Sequence, residues 1–256
     1  MSIDNKNDEM LMKKRFAELA NRAYEQSSYT FTGFLGLTGQ SLFWEMEREL
    51  AYAGYTLEGG NPMCDRKIIR FGNPKEMGYE EEFPIECIKI TPLIKKFSDE
   101  FSHRDFLGAL MNLGIDRSTI GDIFLLENEG YVFCLKSIAE YITENLDKVK
   151  HTHIKCVRVC DSLSFYKDEG KALEITVSSD RIDVVIAGIY HVSRSESLSF
   201  FEKGIVYVNG RLCLSNAKNL KEGDVVNIRG KGKFLYQGVN HITKKDKIRI
   251  SIQLFR

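Results

Sequence analysis

Apolar and polar positions along the chain alternate in three distinct ways. Over residues 8–26 the positions Met12, Arg15, Phe16, Leu19 and Ala23 follow an i, i+3, i+4, i+7 spacing, which predicts a helix with one buried stripe. A second helix is predicted from about Gln40 to Ala53, stopped by Gly54. Short strands are expected at Tyr55–Leu57 and Lys67–Phe71, on either side of EGGNPMCDR, and this first mixed unit ends near Gly78. Next come a strand in IECIKIT, a helix in HRDFLGALMNLG, and two strands joined by Asn-Glu-Gly in GDIFLLENEGYVFCL. A helix near Ser137–Leu146 and a strand in HIKCVRVC complete that stretch. The order βαββαβ is that of a ferredoxin-like or RNA-recognition-type sheet, a frame that hosts many functions.

From residue 179 the pattern changes again. Ile182, Val185, Ile186 and Ile189 mark the apolar face of a short helix that Ser179 or Asp180 can cap, and a break is expected at His191–Val192. Ser193 and Glu196 have capping-box spacing at the start of a second helix, and Gly204 is placed to stop it. The run KGIVYVNGRL then reads as a hairpin whose Asn209-Gly210 turn needs positive φ twice. Ile248, Ile250, Ile252 and Leu254 alternate with polar residues, as a half-buried strand does. The fold class expected is α+β in three parts: a mixed α/β unit over 1–78, a ferredoxin/RRM-like domain over 79–170, and an αα-β domain over 179–256. A strand at Leu173–Val177 is expected in the link.

Charge sharpens this division. The chain has 256 residues with 36 Lys/Arg and 36 Asp/Glu, but residues 181–256 hold 14 basic against 6 acidic side chains, a balance of +8. The first 180 therefore carry 22 against 30, a balance of −8. A basic module joined to an acidic body points to a polyanion as the ligand of the module. No run approaches 18 apolar residues, so no membrane-spanning helix is expected. The polar N-terminus MSIDNKNDEM has no secretory pattern, and six scattered cysteines without a C-x-x-C pair fit reduced thiols in a cytoplasmic protein.

Two arginines stand out. Arg181 and Arg194 are each expected in the first turn of a helix, where a cation opposes the helix dipole by about 0.3–1 kcal/mol. Joined to free N–H groups, and with Ser193 and Ser195 beside Arg194, such a helix start suits a phosphate. The bland alternative is pairing with a carboxylate such as Asp183 or Asp224. In GIDRSTIGDI, Arg117 follows a helix stop, with Ser118 and Thr119 able to bond phosphate; the alternative is a turn with a cap. Arg229, Lys231 and Lys233 are interleaved with glycines that let a backbone follow phosphates.

The stretch RIDVVIAGIYHVSRSESLSFFEKGIVYVNGRL…LKEGDVVNIRG resembles the S4 RNA-binding domain. The matching pieces are Arg181/Asp183, Ser193–Ser195, Gly204–Gly210 and Gly223/Asp224. The resemblance implies that Arg194, Lys203, Asn209 and Arg211 line a face that grips structured RNA. Upstream, YTFTGFLG, EGGNPMCDRK and LGALMNLGIDRSTIGDI resemble the bacterial YlmH family of S4-domain RNA-binding proteins, so the likeness spans nearly the whole chain. Two departures are CDR in place of the usual Ala-Glu-Arg, and FLGLTGQ without the common Asp-Pro. Membership implies a non-catalytic binder of ribosomal or transfer RNA at the large ribosomal subunit, in quality control of stalled synthesis, with an association to cell division.

Other chemistry finds little support in the residues. There is no G-x-G-x-x-G and no P-loop, so no cofactor is expected, and neither is a DNA or membrane partner. In HTHIKCVRVC, strand alternation places His151 and His153 on one face and Cys156 and Cys160 on the other, against a tetrahedral metal site. GYVFCL occupies the place where an RNA-recognition sheet displays stacking aromatics, but Tyr131 and Phe133 lack the flanking basic pattern. The rival readings are an RNA-modifying enzyme whose body is residues 1–170, and a cell-division scaffold that uses the acidic body.

Overall fold

The computed structural model describes residues 3–159, 170–243 and 246–255. The chain divides into two compact units, Met1–Phe165 and Tyr166–Arg256. Unit 1 contains α1 (Ile3–Gln26), β1 (Thr30–Phe31), α2 (Leu37–Leu50), β2 (Tyr55–Glu58), β3 (Ile68–Phe71), α3 (Pro74–Met77) and β4 (Ile85–Pro92). It continues with α4 (His103–Asn112), β5 (Ile120–Leu126), β6 (Glu129–Leu135), α5 (Lys136–Asn145), β7 (Lys148–Val149) and β8 (Thr152–Val159). Unit 2 contains β9 (Lys171–Val177), α6 (Ile182–Tyr190), α7 (Arg194–Glu202), β10 (Val206–Val208) and β11 (Arg211–Leu212). It ends with β12 (Val225–Ile228), β13 (Gly232–Ile242) and β14 (Ile248–Phe255).

In unit 1, α1 and α2 pack on the three-stranded antiparallel sheet β1-β3-β2. The predicted stripe of α1 is buried: Phe16, Leu19, Ala20 and Ala23 meet Phe43, Ile69 and Phe71. A five-stranded antiparallel sheet of order β5-β6-β4-β8-β7 carries α4 and α5 on one face. Ile88, Ile90, Val132 and Cys134 point into that core beside Phe106 and Ile142. The order of its four longer strands, counted from the first, is 2-3-1-4, and β7 is an added edge.

Sequence patterning assigned the two sheets of unit 1 to separate domains, yet they share one compact unit. Arg66 is the main tie. Its Nε donates to Ile120 O at 2.9 Å, and Nη2 donates to Phe34 O at 2.8 Å and Arg117 O at 3.0 Å. Its backbone N–H reaches Asp122 at 2.7 Å. Gly33 lies so close to the segment before β5 that a Cβ there would sit 2.8 Å from Ser118 O. The segments YTFTGFLG, NPMCDRK and GIDRSTIGDI therefore converge on one side chain. Burial, then the neighbouring Arg117 guanidinium, push Arg66 down to about 10, with Asp122 opposing.

In unit 2 the strand order is β11-β10-β12-β13-β14-β9, all antiparallel. The strand expected at Leu173–Val177 in the link forms, over Lys171–Val177, the edge strand of this sheet, with Ile175 opposite Ile250. α6 and α7 cover one face. Ile182, Val185 and Ile186 are sealed, and Phe200, Val206, Val226, Phe234 and Ile252 complete the core. Among the described residues no helix is long and apolar enough to cross a membrane.

Candidate nucleic-acid interface

The two arginines that look alike in sequence have different surroundings. Arg181 is the N-cap residue of α6, in extended backbone, rather than a first-turn residue, and neither Ser179 nor Asp180 caps the helix. Its Nε and Nη2 grip Asp183 at 3.1 and 2.9 Å. Asp183 is completely buried and the Arg181 side chain is 34 % exposed. A bidentate pair on a sealed carboxylate is a structural anchor, so the bland alternative describes Arg181. Arg194 is 67 % exposed, and its Nε lies 3.7 Å from the same carboxylate, beyond hydrogen-bond reach. Its guanidinium is therefore largely uncommitted.

α7 begins as expected. Ser193 Oγ accepts the N–H of Glu196 at 3.1 Å and lies 2.9 Å from Ser195 Oγ. Glu196 turns toward Lys231, whose Nζ is 3.9 Å from its carboxylate and 5.6 Å above the Phe200 ring. The β12–β13 turn thus runs beside α7, and Arg229 N–H bonds Ile205 O just beyond the helix. Lys203 caps the C-terminal end of α7. Nine residues of helix rise about 13 Å; Arg194 and Lys203 stand exposed at its two ends, and Arg229 and Lys231 are exposed on the adjoining β12–β13 turn. Ser197, which sequence reasoning passed over, fastens this helix to α6: fully buried, it donates to Asp183 O at 2.8 Å. Its signal was a serine at a position on the apolar side of α7.

Three expected contacts lie elsewhere. Asn209, with φ of 52°, spends its side chain inside the turn, donating to Asp224 Oδ1 at 2.8 Å and accepting from Val225 N–H at 2.9 Å. It shapes the hairpin instead of presenting a free amide. Arg211 follows that turn at the β11 edge and is exposed, away from α7 in the strand order. Lys233 neighbours Phe234, which faces the helices, so alternation sends Lys233 to the opposite sheet face, where its Nζ is 5.9 Å from the Phe255 ring.

In unit 1, Arg117 is half-buried and donates through Nη1 to Ile120 O at 2.5 Å and Gly121 O at 3.3 Å. Asp116 accepts from Ser118 N–H at 2.6 Å, which makes this segment the turn-and-cap alternative and ties the arginine into its own loop. Tyr131 and Phe133 are 3 % and 1 % exposed. Gly60, at φ of 91°, lies against Phe133, where a Cβ would approach to 2.5 Å. Stacking of bases on those rings is blocked. The Cys156 thiol faces Leu146 O, and burial pushes it up to about 12, while Cys160 lies outside the described residues. Among the described residues no group of His, Cys, Asp or Glu is arranged to hold a metal.

Residues 79–161, from just before β4 through β8, match the family model described as "Putative RNA-binding domain in YlmH". A ribosome-associated protein quality control protein P2 of Bacillus subtilis (strain 168) is 28 % identical, over 79 % of this chain and 79 % of its own length. Both matches are to YlmH-type proteins, so the chain is similar to the YlmH family. A solved YlmH structure, the cell division protein ylmH from Streptococcus pneumoniae, is similar at a TM-score of 0.46 and 16 % identity, covering 62 % of this chain and 93 % of that one. The stretch matched by the YlmH model lies in unit 1, whereas the exposed cations around α7 lie in unit 2.

Proposed function

We propose that this protein is a non-catalytic RNA-binding protein that works at the ribosome in the cytoplasm. In this reading unit 2 is an S4-type module, and its ligand is ribosomal or transfer RNA on the large subunit. The observation that carries the reading is the set of exposed cations at the ends of α7, Arg194 and Lys203, and on the adjoining β12–β13 turn, Arg229 and Lys231. Such cations contact phosphates, which position a protein on folded RNA without reading its sequence. Arg211 extends the surface along the hairpin, while Arg181 and Asn209 hold it in shape. Similarity to the YlmH RNA-binding model and to the quality-control relative supports the ribosome as the setting and rescue of stalled synthesis as the task.

The test is sedimentation of the full chain with purified large ribosomal subunits. Co-sedimentation at low salt, release at high salt, and weakened binding by Arg194→Ala are expected. Binding unaffected by both salt and that substitution contradicts the reading. Nucleoside analysis of total RNA after incubation checks the absence of chemistry, and a new modified nucleoside would favour the enzyme alternative.

A further inference from the structure

Unit 1 contains a cavity of about 590 Å³ at the end of β4 and β8, walled on the other side by β2 and β3. Most of its wall, from Glu80 to Val159, falls within the stretch matched by the RNA-binding family model. Phe83, partly exposed, supplies apolar surface, while Phe133 backs the wall from beneath at 1 % exposure. Two wall atoms are anomalous. Arg70 Nε, on a side chain only 3 % exposed, and Glu86 Oε2 are buried with no hydrogen-bond partner. Arg158 Nε is 3.4 Å from that Glu86 oxygen, an ion contact that lacks hydrogen-bond geometry. Arg70 is otherwise fixed: Nη2 donates to Glu80 at 2.7 Å, Nη1 donates to Glu81 O, and the guanidinium is 4.9 Å from both the Tyr29 and Phe83 rings. A donor and an acceptor without hydrogen-bond partners on two residues of one cavity wall leave polar capacity that an occupant meets once those side chains turn toward it.

We infer that this pocket receives one unstacked base of a single-stranded RNA segment, with guanine preferred. The inference rests on the RNA-binding reading and adds a second, base-reading site to it. A carboxylate and a guanidinium in one cavity wall complement a base edge that carries both donors and an acceptor. Guanine offers N1–H and N2–H to Glu86 and O6 to Arg70, whereas each other base presents fewer donors next to its acceptor. Glu58 and Glu82 in the same wall repel phosphate, so the base enters and the backbone stays outside. A path for it is present. On the sheet face opposite α4 and α5, Cys87 and Val159 at the cavity are followed by the pairs Lys89–Val157 and Thr91–Lys155. Lys155 is exposed and Val157 is 46 % exposed. Successive pairs are about 6.6–7 Å apart, a spacing that suits successive nucleotides.

The experiment measures fluorescence anisotropy of the full chain with four five-nucleotide RNAs, UUGUU, UUAUU, UUCUU and UUUUU, at one salt concentration. UUGUU is expected to bind at least tenfold tighter than the other three. Glu86→Gln should erase that preference while leaving UUUUU affinity within twofold, and the thermal transition of the variant reports its folding. Should Glu86→Gln unfold, guanosine added to the wild-type chain should shift backbone amide resonances around Cys87 and Val159, and uridine should not. Arg194→Ala is expected to lower affinity for all four RNAs alike. Equal binding of the four RNAs, a preference that survives Glu86→Gln, or amide shifts there produced by an arginine-rich peptide and not by guanosine overturns the pocket alone. Absence of any RNA binding overturns the RNA reading with it.

Discussion

Substituting Arg181 and Arg194 one at a time separates fold from function within a single surface. Asp183 is sealed from solvent and held by two charge-assisted bonds from Arg181. Arg181→Ala leaves that carboxylate buried with only a distant cation, a change that costs roughly 3–5 kcal/mol in buried pairs. Because the Arg181 side chain is a third exposed, water relieves part of the loss, and about 3 kcal/mol is expected. Arg194→Ala removes an exposed side chain with no hydrogen bond to Asp183, so its stability effect should be within about 0.5 kcal/mol. Binding should show the opposite order. Loss of Arg194 removes a phosphate contact outright, and Arg181→Ala, measured where the variant is still folded, should weaken RNA binding less. Urea unfolding followed by circular dichroism gives the first comparison, and anisotropy with labelled transfer RNA gives the second. If the two variants are equally destabilised, or if Arg181→Ala is as stable as wild type, the assignment of anchor and contact is wrong.

Three further outcomes are expected. Asn209→Ala should cost about 1–2 kcal/mol, because a positive-φ residue and two turn hydrogen bonds are lost, while the salt dependence of RNA binding stays unchanged. Arg66→Ala should destabilise unit 1 by about 3 kcal/mol in urea unfolding, since three carbonyls on two loops lose their shared donor; a neutral result would remove Arg66 as the tie between the sheets. Unit 1 should also lose stability in acid. Hydrogen bonds from Thr152, Ser102 and Ser118 hold Asp99, Asp105 and Asp116 below the usual range, and burial pushes the Glu129 carboxyl up but Lys89 and Lys95 outweigh it. Groups with depressed folded values stabilise above their unfolded values near pH 4 and lose that contribution as pH falls through the folded ones. A urea midpoint for unit 1 that does not fall between about pH 5 and pH 3 would refute this.

Local periodicity carried the helices and the hairpin of unit 2. Ile182, Val185, Ile186 and Ile189 are all buried, and the turn at Asn209-Gly210 has the two positive φ values it needs. What escaped was pairing over distance. Nothing near residues 171–177 announces that they form an edge strand against β14, more than seventy positions later. The union of the two sheets in unit 1 depends on where the side chain of Arg66 points, and burial of Phe133 depends on Gly60 upstream. Arg181 and Arg194 carry the same local signal, a cation at a helix start. Only the position of the buried Asp183 carboxylate, two residues from one and eleven from the other, tells them apart.

The most direct measurement is the affinity of the full chain for transfer RNA as a function of salt, for wild type and Arg194→Ala. Five cations of unit 2, Arg194, Lys203, Arg211, Arg229 and Lys231, are exposed and are the proposed phosphate contacts. At about 0.7–0.9 per phosphate, log affinity against log salt should fall with a slope of roughly −3.5 to −4.5, and Arg194→Ala should make it shallower by about one. A slope near zero, or one that Arg194→Ala leaves untouched, would contradict phosphate capture by this surface.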